Sequence, residues 1–433
     1  MVVEKKTKAK ARGAEIKITK EFKEALRLME KTKENLFITG KAGTGKSTLL
    51  KYFCEHTSKN VVVLAPTGVA AINIGGMTLH SFFQFPFGVV EEKDVKYLFN
   101  KVEIFRSLET LIIDEISMVR ADLMAAIDHS LRLNTGRKSP FGGVQIIVFG
   151  DLYQLPPVVR RGPEADYLQD KYGGIYFFNA KACELAQMKK IQLTQIFRQE
   201  DDYFKGLLNK LRDNQLTSAD LAALNARHRE YRGKSPVITL ASINAVADEI
   251  NQTRLAELAE REYAYQARVI GDFEENNYPT EREIRLKEGA QIMMIKNDNK
   301  NPRRWVNGSL GIIEKLERDS ITVNIDEESH KLEMAEWEVF EYQYDSAKKK
   351  IERQAKGSFL QWPVKLAWAI TIHKSQGKTF KRVIVDLGRG AFAHGQAYVA
   401  LSRCTSIEEL YLKNPLKFSD AILDKAVSEF HLD

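Results

Sequence analysis

Eight consecutive residues, Gly40-Lys41-Ala42-Gly43-Thr44-Gly45-Lys46-Ser47, have the composition and spacing of a loop that wraps phosphate oxygens. Its glycines let backbone N–H groups turn inward, Lys46 can meet the terminal phosphates, and the Ser47 hydroxyl can ligate a divalent cation. Such a loop needs a strand before it and a helix after it. The apolar string Leu36–Thr39 and the helix-compatible run Ser47–Phe53 supply both, and the helix N-terminus favours an anion. A second constellation, Asp114-Glu115, closes the strand-like run Glu109–Ile113. Asp114 suits the shell of a Mg²⁺ ion and Glu115 suits a water that must be oriented or deprotonated. Alone, such a pair often does no more than cap a strand. Beside a phosphate loop it reads as the hydrolytic half of an ATP site.

Elements must hold these groups in place. Phe22, Ala25, Leu26 and Met29 recur at helical spacing after Thr19, a fitting N-cap. Short apolar strings follow at Leu36–Thr39, Val61–Ala65, Leu111–Ile113 and Val144–Phe149, with helical stretches between them, the rhythm of a parallel sheet. A second series lies at Val237–Ala241, Val383–Leu387 and Leu410–Leu412. Between its parts, residues 284–345 carry short alternating stretches such as Ile321–Asp326, broken by Gly289, Gly308 and Gly311. That pattern predicts a small antiparallel barrel inserted in a larger domain, with a charged helix over Ser346–Lys356 leading back. The fold class expected is α/β, with two parallel-sheet domains and an inserted barrel.

Composition narrows the classes. Of 433 residues, 44% are hydrophobic and 28% charged, a globular balance. The longest apolar strings are strand-sized, too short to cross a membrane as helices. Three cysteines, Cys54, Cys183 and Cys404, are too few and scattered for a disulfide framework, so a reducing, cytoplasmic compartment is expected, on the nucleoid in a bacterium or in a nucleus. The net charge is +7, and much of the surplus lies in Lys5, Lys6, Lys8, Lys10, Arg12, Lys17 and Lys20. Residues 1–17 read as a basic flexible arm, which either holds a phosphate backbone or is simply a solvated terminus. It lacks the apolar core of a secretory signal.

Further segments carry a resemblance. Ala65-Pro66-Thr67-Gly68-Val69-Ala70-Ala71 and Thr78-Leu79-His80-Ser81-Phe82-Phe83 follow the second strand string. Gly150-Asp151-Leu152-Tyr153-Gln154-Leu155-Pro156-Pro157-Val158 ends the fourth. Leu193-Thr194-Gln195-Ile196-Phe197-Arg198-Gln199, Ile370-Thr371-Ile372-His373-Lys374-Ser375-Gln376-Gly377 and Tyr398-Val399-Ala400-Leu401-Ser402-Arg403-Cys404-Thr405 come later. With Asp114-Glu115-Ile116-Ser117-Met118, and in this order, they resemble the motifs of the Pif family of DNA helicases, in superfamily one, class B, near the RecD-type enzymes. The resemblance runs from about Ile18 to Leu412.

It implies two RecA-like P-loop NTPase domains: residues 18–187, with a wedge-type insertion at 66–93, and residues 188–283 with 358–433. The insert at 284–357 becomes an SH3-like β-barrel with its return helix. Gly43, Thr44, Gly45, Lys46, Ser47 and Thr48 would contact the nucleotide, joined by Gln376 and Gly377, with Ser47 and Asp114 on Mg²⁺. Lys46, Glu115, Gln154, Arg198 and Arg403 form the implied catalytic set. Gln154 lies just past a strand end, where its amide either senses the γ-phosphate or makes an ordinary surface hydrogen bond. Arg198 and Arg403 are either fingers reaching the nucleotide from the opposite domain or members of structural ion pairs. A finger is worth roughly 10³–10⁵ in turnover.

For single-stranded DNA the resemblance points to Pro66, Thr67, His80, Pro156, His373 and Ser375, gripping phosphates without reading sequence. Phe82, Phe83, Phe85 and Phe87 stand within six positions. In the family this insertion works as a wedge at the duplex junction; a miniature core is the other reading. Pro302-Arg303-Arg304-Trp305 either guides the strand or is a solvated loop. One departure stands out: after Thr19-Lys20-Glu21 the family places an adenine-reading glutamine, and this chain has Phe22, which puts base selectivity in doubt.

The expected activity is that of an ATP- and Mg²⁺-dependent DNA helicase, acting on forked or structured DNA, monomeric in isolation, and moving five-prime to three-prime by resemblance alone. Repair, recombination and telomere maintenance are the roles the family implies. A remodelling translocase that separates no strands, and a nucleic-acid-binding protein with an ATP switch, are the rival readings. No metal-dependent nuclease constellation is evident.

Overall fold

The computed structural model describes residues 18–197, 201–300 and 302–430. Thr19 caps the first helix, Lys20–Lys31, its Oγ1 accepting from the Phe22 N–H at 3.2 Å. Phe22, Ala25, Leu28 and Met29 form the buried face; Leu28 takes the place expected of Leu26, which is only partly covered.

Six parallel strands form the first sheet, in the spatial order Met77–Thr78, Val61–Ala65, Thr110–Ile113, Gln145–Gly150, Leu36–Gly40, Lys189–Leu193. The inner strands are near-continuous apolar runs because both faces are covered. Phe37, Val62, Leu64, Leu111, Ile113, Ile146 and Val148 enter one core, while Ile38, Val63, Ile112, Ile147 and Phe149 enter the other. Lys189–Leu193 is the edge strand that the sequence concealed. Only Ile191 and Leu193 are buried, and the exposed Lys189, Lys190 and Gln192 read as a polar segment. The sheet therefore continues past the expected boundary at residue 187.

The second sheet is also parallel, in the order Ala369–Thr371, Ile238–Ala241, Val383–Asp386, Leu410–Leu412. Between its first two strands in sequence lies an antiparallel body with the order Glu328–Lys331, Ser320–Ile325, Leu310–Glu317, Gln291–Met294, Val364–Leu366. Ile292, Ile313, Leu316, Ile321, Val323 and Val364 close its core. Its last strand reaches Leu366, beyond the expected end at 357.

The return helix over Ser346–Lys356 does not exist. Those residues are the turn and outgoing arm of a long hairpin, Ala335–Asp345 paired antiparallel with Lys350–Gln361. Lys348 and Glu352 make the 2.7 Å pair that a helix would also use at that spacing, so the local signal is ambiguous. Tertiary contact decides it. Tyr342 on the incoming arm is buried in the first domain, its hydroxyl 2.8 Å from the Val63 N–H and 3.2 Å from the Val63 carbonyl. The Ile351 N–H donates to Asn60 Oδ1 at 3.1 Å, and Arg353 bonds the Gly75 carbonyl. A helix would present none of these groups to that surface. Among the described residues, no helix is long and apolar enough to cross a membrane.

Candidate nucleotide site and nucleic-acid surface

The strand Leu36–Gly40 delivers the phosphate loop to the carboxyl edge of the first sheet, where ligands of parallel sheets are held. Gly43 and Gly45 adopt φ of +81° and +89°, conformations that an L side chain resists, and Gly45 opens the helix Lys46–His56. A Cβ on Gly40 would stand 2.6 Å from both the Leu193 carbonyl and Thr44 Oγ1. The loop is thus a cradle closed to any side chain at that position. Thr44 is buried and its hydroxyl donates to the Lys41 carbonyl at 2.9 Å, whereas Ser47 and Thr48 are exposed at the helix start. The Lys46 ammonium donates to the carbonyls of Gly40 (2.5 Å) and Lys41 (3.2 Å), lying along the loop.

Asp114 stands at the end of Thr110–Ile113, its Oδ1 accepting from the Glu115 N–H at 3.0 Å. Glu115 itself has φ +51°, a left-handed turn without glycine, the kind of strain that a working site retains. Burial, then the neighbouring Glu115 charge, pushes the Asp114 carboxyl up to about 7 against the pull of Lys46 and Lys51. Two adjacent carboxyls at a strand end, with the Ser47 hydroxyl exposed at the start of the helix after the loop, suit a hard divalent cation with oxygen ligands. On the second domain, the Gln376 amide nitrogen is buried with no hydrogen-bond partner among the described residues, and Gly377 takes φ +75°. A buried orphan donor there fits a polar ligand.

Groups from the second domain and from the link leading to it reach this loop. The Tyr398 hydroxyl accepts from the Ala42 N–H at 3.4 Å, and the Phe197 N–H donates to the Gly43 carbonyl at 2.9 Å. Arg403 is almost wholly buried. It donates through Nε to the Val399 carbonyl (2.9 Å), through Nη1 to the Lys378 carbonyl (3.3 Å) and through Nη2 to Ser402 Oγ (3.0 Å). Those bonds stay inside the second domain. Arg198 lies outside the described residues. Gln154 is buried, its Nε2 donating to Asp151 Oδ2 at 3.2 Å, so it is no ordinary surface amide.

The nucleic-acid candidates divide. Pro66, Thr67 and Pro156 follow strands of the first sheet and His373 follows the second sheet's Ala369–Thr371; Thr67 is exposed and the others are half-buried. His80 is half-buried and stacks on Phe87, ring centroids 5.4 Å apart, with burial and then Arg120 pulling its pKa below the usual value. Phe87 is 78% exposed. Phe82, by contrast, is fully buried with Phe83, Phe85 and Phe105 around it, so the core reading wins for three of the four phenylalanines. Ser375 is corrected too: its hydroxyl is buried and donates to the Ile372 carbonyl at 2.7 Å. Trp305 is buried in the barrel core under the Arg304 guanidinium, 4.2 Å from the ring, and offers no face to a base.

Sequence reasoning missed the groups that the second domain applies to the Asp151–Leu155 turn: Arg212, His394 and Gly395. None lies in a helicase-like motif, and only the tertiary structure brings them there.

A parallel sheet with a phosphate cradle, faced by a second parallel sheet, defines a two-domain P-loop nucleotide hydrolase. A family model described as PIF1-like helicase matches residues 17–220. The ATP-dependent DNA helicase Pif1 of Bdellovibrio bacteriovorus is 33% identical over 92% of this chain and 88% of that protein. Fungal and vertebrate relatives of the same name are longer, the chain spanning 52–64% of their lengths. A crystal structure of Bacteroides sp Pif1 with ADP-AlF4 superposes with a TM-score of 0.87 at 38% identity, covering 95% of this chain and 96% of that one. The Bacteroides Pif1 complex with ADP-AlF3 and ssDNA gives 0.69 at 39% identity, covering 96% of each. The chain belongs to the PIF1-like helicase family. It is an ATP-dependent DNA helicase, and its two parallel sheets are RecA-like.

Proposed function

We propose that this helicase translocates five-prime to three-prime on single-stranded DNA and separates duplex or structured DNA ahead of it. The observation that carries the motor reading is the seam at the phosphate loop, where Tyr398 of the second domain meets Ala42. A nucleotide in the loop then lies between the halves, so binding draws them together and hydrolysis releases them. In this reading Lys46 neutralises the terminal phosphates, Glu115 orients the attacking water, and Gln154 senses the γ-phosphate. Gly43, Thr44, Gly45, Thr48, Gln376 and Gly377 bind the nucleotide. Arg198 and Arg403 supply positive charge from the second domain as the transition state forms. For Arg403 this requires its guanidinium to leave some of its carbonyl partners on closure. Ser47 and Asp114 hold Mg²⁺, which when bound supplies charge that polarises the phosphate oxygens.

Pro66, Thr67, His80, Pro156 and His373 hold the strand, in keeping with the single-stranded DNA in the Bacteroides complex. Lys46→Ala or Glu115→Gln is expected to abolish DNA-stimulated phosphate release while strand binding stays within about threefold of the wild type. Full hydrolysis by either variant removes the mechanism. Unwinding of duplexes with five-prime or three-prime tails tests activity and polarity together; activity on three-prime tails alone reverses the proposed direction. The burial of Phe82, Phe83 and Phe85 favours a second reading, a translocase that does not separate strands, and the same assay decides it.

A further inference from the structure

The turn Asp151–Leu155 is continuous with the first sheet's strand Gln145–Gly150, yet the second domain holds it. Leu155 is fully buried in the second domain's core beside Phe204 and Leu208. The His394 imidazole bonds the Leu152 carbonyl at 2.7 Å. Gly395 packs so tightly that a Cβ there would lie 2.4 Å from the Tyr153 carbonyl oxygen and 2.7 Å from that of Gln154. A further contact is ionic. Arg212, the last residue of the helix Asp202–Arg212, stacks its guanidinium 3.6 Å from the Tyr153 ring centroid and stands 3.6 Å from Asp151 Oδ1. Its Nε is buried with no hydrogen-bond partner among the described residues. Phe204, Leu207, Leu208 and Leu211 anchor that helix in the second core, so Arg212 moves with the second domain.

Asp151 joins the two halves. One carboxylate oxygen faces Arg212 and the other accepts from the Gln154 amide at 3.2 Å. The residue is almost wholly buried, so the carboxylate's interactions are little screened by solvent. Arg212 also lies near the phosphate loop, since its charge, after burial, holds the Lys41 ammonium below its usual pKa.

We infer that Arg212 is a positioning residue for ATP hydrolysis: through Asp151 it sets the Gln154 amide, so that the second domain's position decides whether the γ-phosphate sensor is aligned. The inference rests on Gln154 being that sensor. No bond is made or broken by Arg212; it acts through a carboxylate whose other oxygen orients the amide. The stack on Tyr153 fixes the guanidinium plane, which a lysine cannot reproduce.

The test measures single-stranded-DNA-stimulated phosphate release by the full chain, separating kcat from KM for ATP, with melting temperatures as controls. Arg212→Gln is expected to lower kcat about tenfold and to shift KM less than about threefold, and Arg212→Lys to recover part of the loss. The double variant Arg212→Gln/Gln154→Ala should be no slower than Gln154→Ala alone, because both act through one group. If Arg212→Gln does not fold, Asp151→Asn/Arg212→Gln leaves no buried charge unpaired, and the same fall in kcat is expected. A wild-type kcat in the folded Arg212 variant, beside an impaired Gln154→Ala, overturns the inference alone. Losses that multiply in the double variant also overturn it. A wild-type kcat in Gln154→Ala instead removes the sensor reading itself.

Discussion

Phe82 and Phe87 stand five residues apart, share one side-chain chemistry, and are sorted wholly by burial. Phe82 packs edge-on to Phe83 with ring centroids 4.9 Å apart, and Phe82→Ala should cost about 3–5 kcal/mol through the cavity it leaves. Urea denaturation reads that loss directly, and a stable Phe82→Ala protein that fails only in unwinding would contradict it. Phe87, stacked on His80 at the surface, belongs to the other class. Phe87→Ala should leave the denaturation midpoint unchanged and slow fork unwinding, since a base stack is worth about 1–3 kcal/mol. Titration behaves as specifically as packing. His394 is buried, its Nδ1 accepting from the Asp424 N–H at 3.0 Å and its Nε2 donating to the Leu152 carbonyl, which requires the neutral ring. Burial lowers its pKa from 6.5 despite the opposing Asp424 and Asp151 charges. The folded form therefore binds its proton less readily than the unfolded form, and the stability it contributes is complete above pH 6.5 and lost as pH falls below it. Thermal melts between pH 5 and 8 should show this slope, and His394→Gln should lessen it.

Elements show where local rules yield to contact. Over Ser346–Lys356 the lysines, glutamate and alanine are good helix formers, yet the segment turns and runs as a strand. Cross-strand pairing brings Tyr344 opposite Ile351 and Tyr342 opposite Arg353, and those pairs dock the hairpin on the first domain. Tyr342→Phe deletes the hydroxyl partner of a buried Val63 N–H and should cost about 1–3 kcal/mol in urea denaturation. An unchanged midpoint would mean the hairpin is only loosely held. The phosphate loop is the opposite case. There the glycines, the strand before and the helix after agree locally, and the structure reproduces the expected element order. Lys189–Leu193 escaped notice because an edge strand needs only one buried face and two buried side chains.

The whole molecule is two parallel sheets that touch at the phosphate loop, with the long hairpin tied across to the first. At nearly equal identity, the ADP-AlF4 relative superposes at 0.87, the unliganded one at 0.86 and the ssDNA-bound one at 0.69, so this chain superposes more closely on the first two. In this arrangement Gly68, beside Thr67, packs against Asn277 so closely that a Cβ would approach its Oδ1 to 2.3 Å. Opening that contact and undocking the hairpin would go together. Hydrogen exchange at the Val63 and Ile351 amides, held here by Tyr342 and Asn60, should accelerate on adding single-stranded DNA with ADP and aluminium fluoride. Unaltered protection would show that the hairpin stays docked.

Short-range chemistry is legible in the amino-acid sequence itself: the cradle at Gly40–Ser47, the Asp114-Glu115 pair and the apolar strings of both sheets, because glycine conformation, strand burial and loop spacing act over a few residues. Whether an aromatic faces solvent or core, as for Phe82, Phe87 and Trp305, depends on neighbours far along the chain. So does the ionic company of Asp151: Gln154 lies in its own turn, but Arg212 comes from the second domain. Burial and ionic contact are properties of the packed whole, and only the tertiary structure decides them.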